Sequence, residues 1–122
     1  MTGIANVQSA VHHGRDVLLV ATGGALGASA RYGIELIVGP IVGTLTVNVV
    51  GAFVLALITA RLLDRRIMLF AGIGFLSSFT TYSTFVSDAV SAEPTGAAGY
   101  VTASYAGGFL AAVAGLAIGG RR

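Results

Sequence analysis

Residues Ser77 to Ser87 read S-S-F-T-T-Y-S-T-F-V-S, and eight of these eleven side chains carry a hydroxyl. The run continues an apolar stretch, 67–76, with no charge before Asp88. A lipid-facing helix has no use for so many polar groups. A helix lining a narrow polar pathway does, and so does a helix that breaks inside the membrane and must satisfy its freed backbone. The stretch therefore predicts an all-α membrane protein that passes something polar.

Composition supports this outward from the hydroxyl run. The 122 residues are 55% hydrophobic and 10% charged, where a soluble domain carries about 25% charge. Residues 36–60, 67–87 and 94–120 contain no charge at all. Each is long enough for the roughly 20 residues that cross a bilayer core. A shorter apolar run, 17–30, becomes a fourth span if Arg31 and Glu35 sit near an interface or are paired. The expected spans are 17–37, 41–60, 67–90 and 99–119, in one membrane domain covering 1–122. Residues 1–16 read as a short solvated tail whose His12-His13 pair lacks further metal ligands, and the first apolar run does not resemble a cleavable signal peptide. Gly39-Pro40 makes the first turn, because proline cannot continue a preceding helix. The segments 61–66 and 93–96 make the other two.

All seven basic residues are arginines. With both termini on one side, that side carries Arg15, Arg61, Arg65, Arg66, Arg121 and Arg122, against Arg31 alone on the other. Positive charge stays cytoplasmic, so both termini are expected inside, in the cell's inner (plasma) membrane. A net charge of only +2, placed at span ends, argues against nucleic acid as a partner. Small residues four apart, Gly23 with Gly27 and Ser104 with Gly108 and Ala112, predict close helix packing in lipid. Four short helices enclose little, so a pathway calls for an oligomer.

Chemistry-bearing residues are few. The acids Asp16, Glu35, Asp64, Asp88 and Glu93 all lie near span ends, so no mid-membrane carboxylate is available for proton coupling. That weighs against a small proton-coupled multidrug-type exporter. No catalytic triad or metal cluster stands out, so no enzyme is expected. A non-conducting subunit that supports a partner is a further alternative. Asn48 places an amide within span two, where it either bonds a neighbouring helix or faces the pathway. Arg31 either snorkels to the interface or forms an anion-attracting vestibule. Phe79, Tyr82 and Phe85 share a face if the third helix is intact. Their ring edges carry partial positive charge that suits a small anion.

Four motifs in order now resemble a known family. They are G-G-A-L-G-A-S-A-R-Y from Gly23 to Tyr32, G-T-L-T-V-N-V-V-G-A-F from Gly43 to Phe53, T-T-Y-S-T-F from Thr80 to Phe85, and Y-x-x-x-S-x-x-x-G from Tyr100 to Gly108. The chain resembles the CrcB/Fluc family of fluoride channels over roughly 23–119. The resemblance implies a broken third helix and an antiparallel dimer with two fluoride pores, as a homodimer or with a homologous chain. It implies passive, fluoride-specific flow that exports cytoplasmic fluoride and lowers its toxicity. It places Asn48, Tyr82, Phe85, Ser83, Thr84, Tyr100 and Ser104 along the pore. It also implies a structural sodium ion (Na+) at the dimer centre, held by the backbone carbonyls of Ser77 and Thr80. Three departures from the pattern stand out: Ser77-Ser78 replace a glycine pair, Tyr82 replaces a phenylalanine, and Asp88 replaces a glutamate.

Overall fold

The structure, a computed structural model, describes residues 2–121. Four helical segments are long and apolar enough to cross a membrane: Gly3–Val38, Pro40–Ala60, Arg65–Ser91 and Pro94–Gly119. Among the described residues there is no strand. The protein is thus a multi-pass, all-helical membrane protein. Arg122 lies outside the described residues.

Helix α1 covers Thr2–Val38, so the expected tail is helical from its second residue, and residues 3–15 are exposed in the single chain. No proline interrupts it, and a pair of hydrogen bonds from Arg65 to Asp16 (2.9 and 2.7 Å) ties it to the start of the third span. The helix stops at Gly39, whose φ of +93° is open to glycine and strained for other residues. Helix α2 (Pro40–Ala60) starts with proline in its first turn, where the missing N–H is no loss.

The third span is a composite. A short α3 (Arg65–Ile67) leads into a π-helical segment, Met68–Leu76, and then α4 (Ser77–Phe79). The chain breaks at 80–82 and resumes as α5 (Ser83–Ser91). The break falls inside the hydroxyl run as expected. The π winding was not legible in the sequence, and its cause is packing. A Cβ on Gly23 would strike the Phe70 carbonyl oxygen, and one on Gly27 the Phe75 carbonyl oxygen. The glycines are four apart on an α-helix, and the carbonyls they meet are five apart. Wider winding brings residues five apart onto one face, so the π segment matches its repeat to that of α1. The Gly23–Gly27 pair packs as expected.

Helix α6 covers Pro94–Gly119, so the last turn is shorter than expected and Thr95 and Gly96 are already helical. Its closest approach to α2 does not use the expected small residues. Gly108 meets nothing in this chain, whereas Cβ atoms at Gly115 and Gly119 would press on the Phe53 and Leu57 carbonyls. The tight row is therefore Gly107, Gly115 and Gly119, which face Val49, Phe53 and Leu57 of α2 and lie one residue before the Ser104–Gly108–Ala112 register. A small core of Val47, Leu76 and Phe79 lies where α2 crosses the third span.

Candidate functional site

The break in the third span frees backbone groups, and α2 supplies the partner. The Asn48 Nδ2 donates to the Thr81 carbonyl at 2.9 Å, and the Thr81 N–H donates to Asn48 Oδ1 at 2.8 Å. The amide thus closes a two-bond ring on one residue's backbone, much as a neighbouring strand would. Nδ2 carries a second hydrogen, and this ring leaves it unspent. Gly51 sits one turn further on. A Cβ there would fall on the Thr80 methyl, so the glycine lets α2 lie against the break.

The two ends of the break are finished by side chains. Thr81 Oγ1 accepts the Thr84 N–H at 3.2 Å and bonds the Thr84 hydroxyl at 3.0 Å, which caps the start of α5. Arg31 Nε donates to the Ser78 carbonyl at 3.1 Å, placing a cation at the negative end of α4. The same guanidinium stands 3.7 Å from Glu35. Both residues are partly buried and engaged within the chain.

Several carbonyls lose the donors an unbroken helix would give them, and Ser77 and Thr80 are among them. The Thr81 N–H, which would reach Ser77, goes to Asn48. The Thr84 N–H, which would reach Thr80, goes to the Thr81 hydroxyl. Ser77 and Thr80 are the residues whose carbonyls the family resemblance assigns to sodium. Backbone oxygens short of a donor suit a hard cation, so these residues fit such an ion. Two carbonyls from one chain are too few for a full shell.

A cavity of about 360 Å³ opens beside the break. Asn48, Ser77, Thr80, Tyr82, Phe85 and Ser104 from the sequence reading line it, together with Thr81 and Tyr105. The Ser104 hydroxyl oxygen is buried and without a hydrogen-bond partner among the described residues. Among the lining residues there is no carboxylate. Ser83, Thr84, Tyr100 and Arg31 do not line it. Ser83 is within 3.5 Å of the Thr81 hydroxyl, and Tyr100 donates to Asp88 at 3.4 Å.

Phe85 is buried and surrounded by rings. Tyr82, Tyr100 and Tyr105 have centroids 6.0, 5.4 and 5.8 Å from it, with Tyr105 edge-on at 85°. Phe79 does not join this group. The break sends it back along the span, where it stacks on Phe75 at 5.5 Å. Tyr82 is 71% exposed. Two contributors were missed from sequence. Thr81 acts through its backbone and its hydroxyl, and its signals were its place in the hydroxyl run and in the T-T-Y-S-T-F motif. Tyr105 follows Ser104 directly and falls on an unspecified position of the Y-x-x-x-S-x-x-x-G motif.

Residues 18–116 match the family model described as CrcB-like protein, Camphor Resistance (CrcB). The chain belongs to the CrcB/Fluc family. It is 46% identical over 104 residues to a Natronomonas pharaonis protein named Fluoride-specific ion channel FluC 1, covering 80% of this chain and 87% of that one. A protein of the same name from Rhodococcus jostii is 42% identical over 108 residues, covering 88% and 87%. Fluoride-specific ion channel FluC from Paracoccus denitrificans is 38% identical over 114 residues, covering 84% and 92%. For a CrcB/Fluc chain, the joined Asn48–Thr81 pair and the ring cluster around Phe85 fall within the matched segment.

Proposed function

We propose that this chain is a fluoride-specific ion channel that lets cytoplasmic fluoride flow out passively. The observation that carries the reading is a cavity beside a helix break that offers unspent donors and no carboxylate. They include the second N–H of Asn48 and the hydroxyl of Ser104. Fluoride is small and strongly hydrated, so a pore must replace water's donors. Neutral donors do so without holding the ion too tightly to leave. The ring edges around Phe85 add weak positive potential on the same side. The relatives' names, Fluoride-specific ion channel FluC, support the same ion.

The working unit in this reading is an antiparallel dimer. The cavity lies at the surface of a single chain, and Tyr82 projects from that chain, so a second copy or a homologous chain is needed to close a pore. Ser77 and Thr80 from two chains would supply four carbonyls to a central sodium ion. Such an ion contributes fixed positive charge and holds the broken helices together. Both termini lie in the cytoplasm in the orientation that the arginine bias favours.

The test is fluoride efflux from liposomes holding only the purified chain, driven by a potassium diffusion potential. Voltage-dependent fluoride loss without a proton gradient supports the channel. Loss that requires a proton gradient, or none at all from an assembled dimer, overturns it.

A further inference from the structure

We infer that the groove between the N-terminal half of α1 and the start of the third span binds the phosphate headgroup of an anionic phospholipid. The groove encloses about 350 Å³. Its outer wall carries His12, Arg15, Asp16, Arg65 and Arg66, and its inner wall is formed by Leu18, Leu19 and Phe70 with Thr22, whose hydroxyl is spent on the Leu18 carbonyl. The order along the membrane normal is that of a lipid. Residues 12–16 and 65–66 lie at the ends of the spans. Residues 18–19 and 70 lie about one turn further in, at 1.5 Å of rise per α-helical residue.

The charges are arranged for an anion. Asp16, the acid in the groove, is spent on Arg65 through two hydrogen bonds. That pair is neutral and holds the Arg65 side chain against α1. Arg15 and Arg66 have no carboxylate partner among the described residues. Two free arginines at one rim match a single phosphodiester. The continuation of α1 past residue 16 is what makes the site, because His12, Arg15 and Leu19 fall on one helix face at helical spacing. A soluble acidic partner would have no use for the apolar inner wall, whereas acyl chains fill it. Basic pockets between spans near one membrane face are suited to anionic headgroups.

The test uses the purified full chain and native mass spectrometry, with dioleoyl phosphatidylglycerol, dioleoyl phosphatidylcholine and inorganic phosphate as probes. Phosphatidylglycerol is expected to bind saturably and roughly tenfold or more tighter than phosphatidylcholine. Each arginine near an anionic headgroup contributes about fivefold, so Arg15→Gln with Arg66→Gln should weaken phosphatidylglycerol binding by roughly thirtyfold. Arg61→Gln, at the same end of the bundle but outside the groove, should leave it within about twofold. A tenfold excess of inorganic phosphate should not displace the lipid. Should the double variant not assemble, the two single variants carry the test, each expected to lose about fivefold. Equal binding of the two lipids overturns the inference. So does an equal loss in the Arg61 variant, and so does displacement by phosphate, which would make the site one for free phosphate instead.

Discussion

Asn48 and Thr81 are joined by two hydrogen bonds, of 2.9 and 2.8 Å, that run in opposite directions between one side-chain amide and one residue's backbone. The pairing fixes which end of the amide is nitrogen, since only that orientation satisfies both the N–H and the C=O of Thr81. It also couples α2 to the point where the third span breaks. An unsatisfied backbone group in the bilayer costs several kcal/mol, so Asn48 supports the break as well as facing the cavity.

Asn48→Asp should therefore cut fluoride flux by more than about tenfold. A carboxylate keeps the bond from the Thr81 N–H but turns a second oxygen towards the Thr81 carbonyl. It also places negative charge at the cavity, where like charges about 4 Å apart repel by about 4 kcal/mol at an effective dielectric constant of 20. Liposome efflux from a dimer of normal elution volume makes the measurement. Wild-type flux in that variant removes Asn48 from the pathway.

Gly27→Ala should destabilise the fold with little direct effect on the cavity. Its Cβ would fall on the Phe75 carbonyl, and overpacking of this kind costs typically about 1–3 kcal/mol. Gly108→Ala, which meets nothing within the chain, leaves the monomer's own packing untouched. Thermal unfolding in detergent, followed by circular dichroism, should show a lower midpoint for the first substitution than for the second. Equal midpoints would mean that α1 and the π segment can separate freely.

The span count and the break were legible because they follow from quantities the sequence carries directly: the length of uncharged runs, and a cluster of hydroxyls where lipid would reject them. Gly39-Pro40 was legible for the same reason, as a turn written in two residues. What the sequence hid depends on a second helix. The π winding of Met68–Leu76 has no signature in its own residues and follows from glycines some 50 positions earlier in the chain. The face of α6 that meets α2 was not legible, since small residues occupy several of its faces. Asn48 was open to two readings, bonding a neighbouring helix or facing the pathway; its geometry shows the first, and the amide also lines the cavity. Phe79 was grouped with Tyr82 and Phe85 on the premise of an intact helix, and the break at 80–82 separates them.

Tyr82→Phe should retain fluoride flux within about twofold. The Tyr82 ring stands 6.0 Å from Phe85, and its hydroxyl bonds no other group among the described residues. Removing that oxygen leaves the ring edge in place, and an exposed side chain losing no contact changes stability by less than about 0.5 kcal/mol. Phe85→Ala, in contrast, empties the centre of the ring cluster and should lower both flux and stability, by about 3–5 kcal/mol for the latter. Abolished transport in an assembled Tyr82→Phe dimer would make the hydroxyl a fluoride ligand.

The arginines set a final expectation about insertion. The Asp16–Arg65 bonds bring the base of α1 to the start of the third span. Gly119 packs on Leu57 and Ala60, which brings the end of α6 to the end of α2. Arg15, Arg61, Arg65, Arg66 and Arg121 thus gather at one end of the bundle, while Arg31 is engaged with Ser78 and Glu35 towards the other. A bias this large is expected to fix one orientation during insertion. In the proposed antiparallel dimer one subunit inserts each way, so a chain that inserts one way only would need a homologous partner of reversed bias in the cell. Detergent can release that constraint and allow a homodimer to form, so the measurement belongs in intact cells. Tags at both termini of the chain expressed alone should be reachable only from the cytoplasm, and the cells should gain little fluoride resistance. Replacing Arg61, Arg66 and Arg121 by glutamine, which spares the Asp16–Arg65 pair, should let part of the population invert and raise resistance. Comparable labelling from both sides with the native arginines in place, together with full resistance, would show that the chain forms its own antiparallel pair.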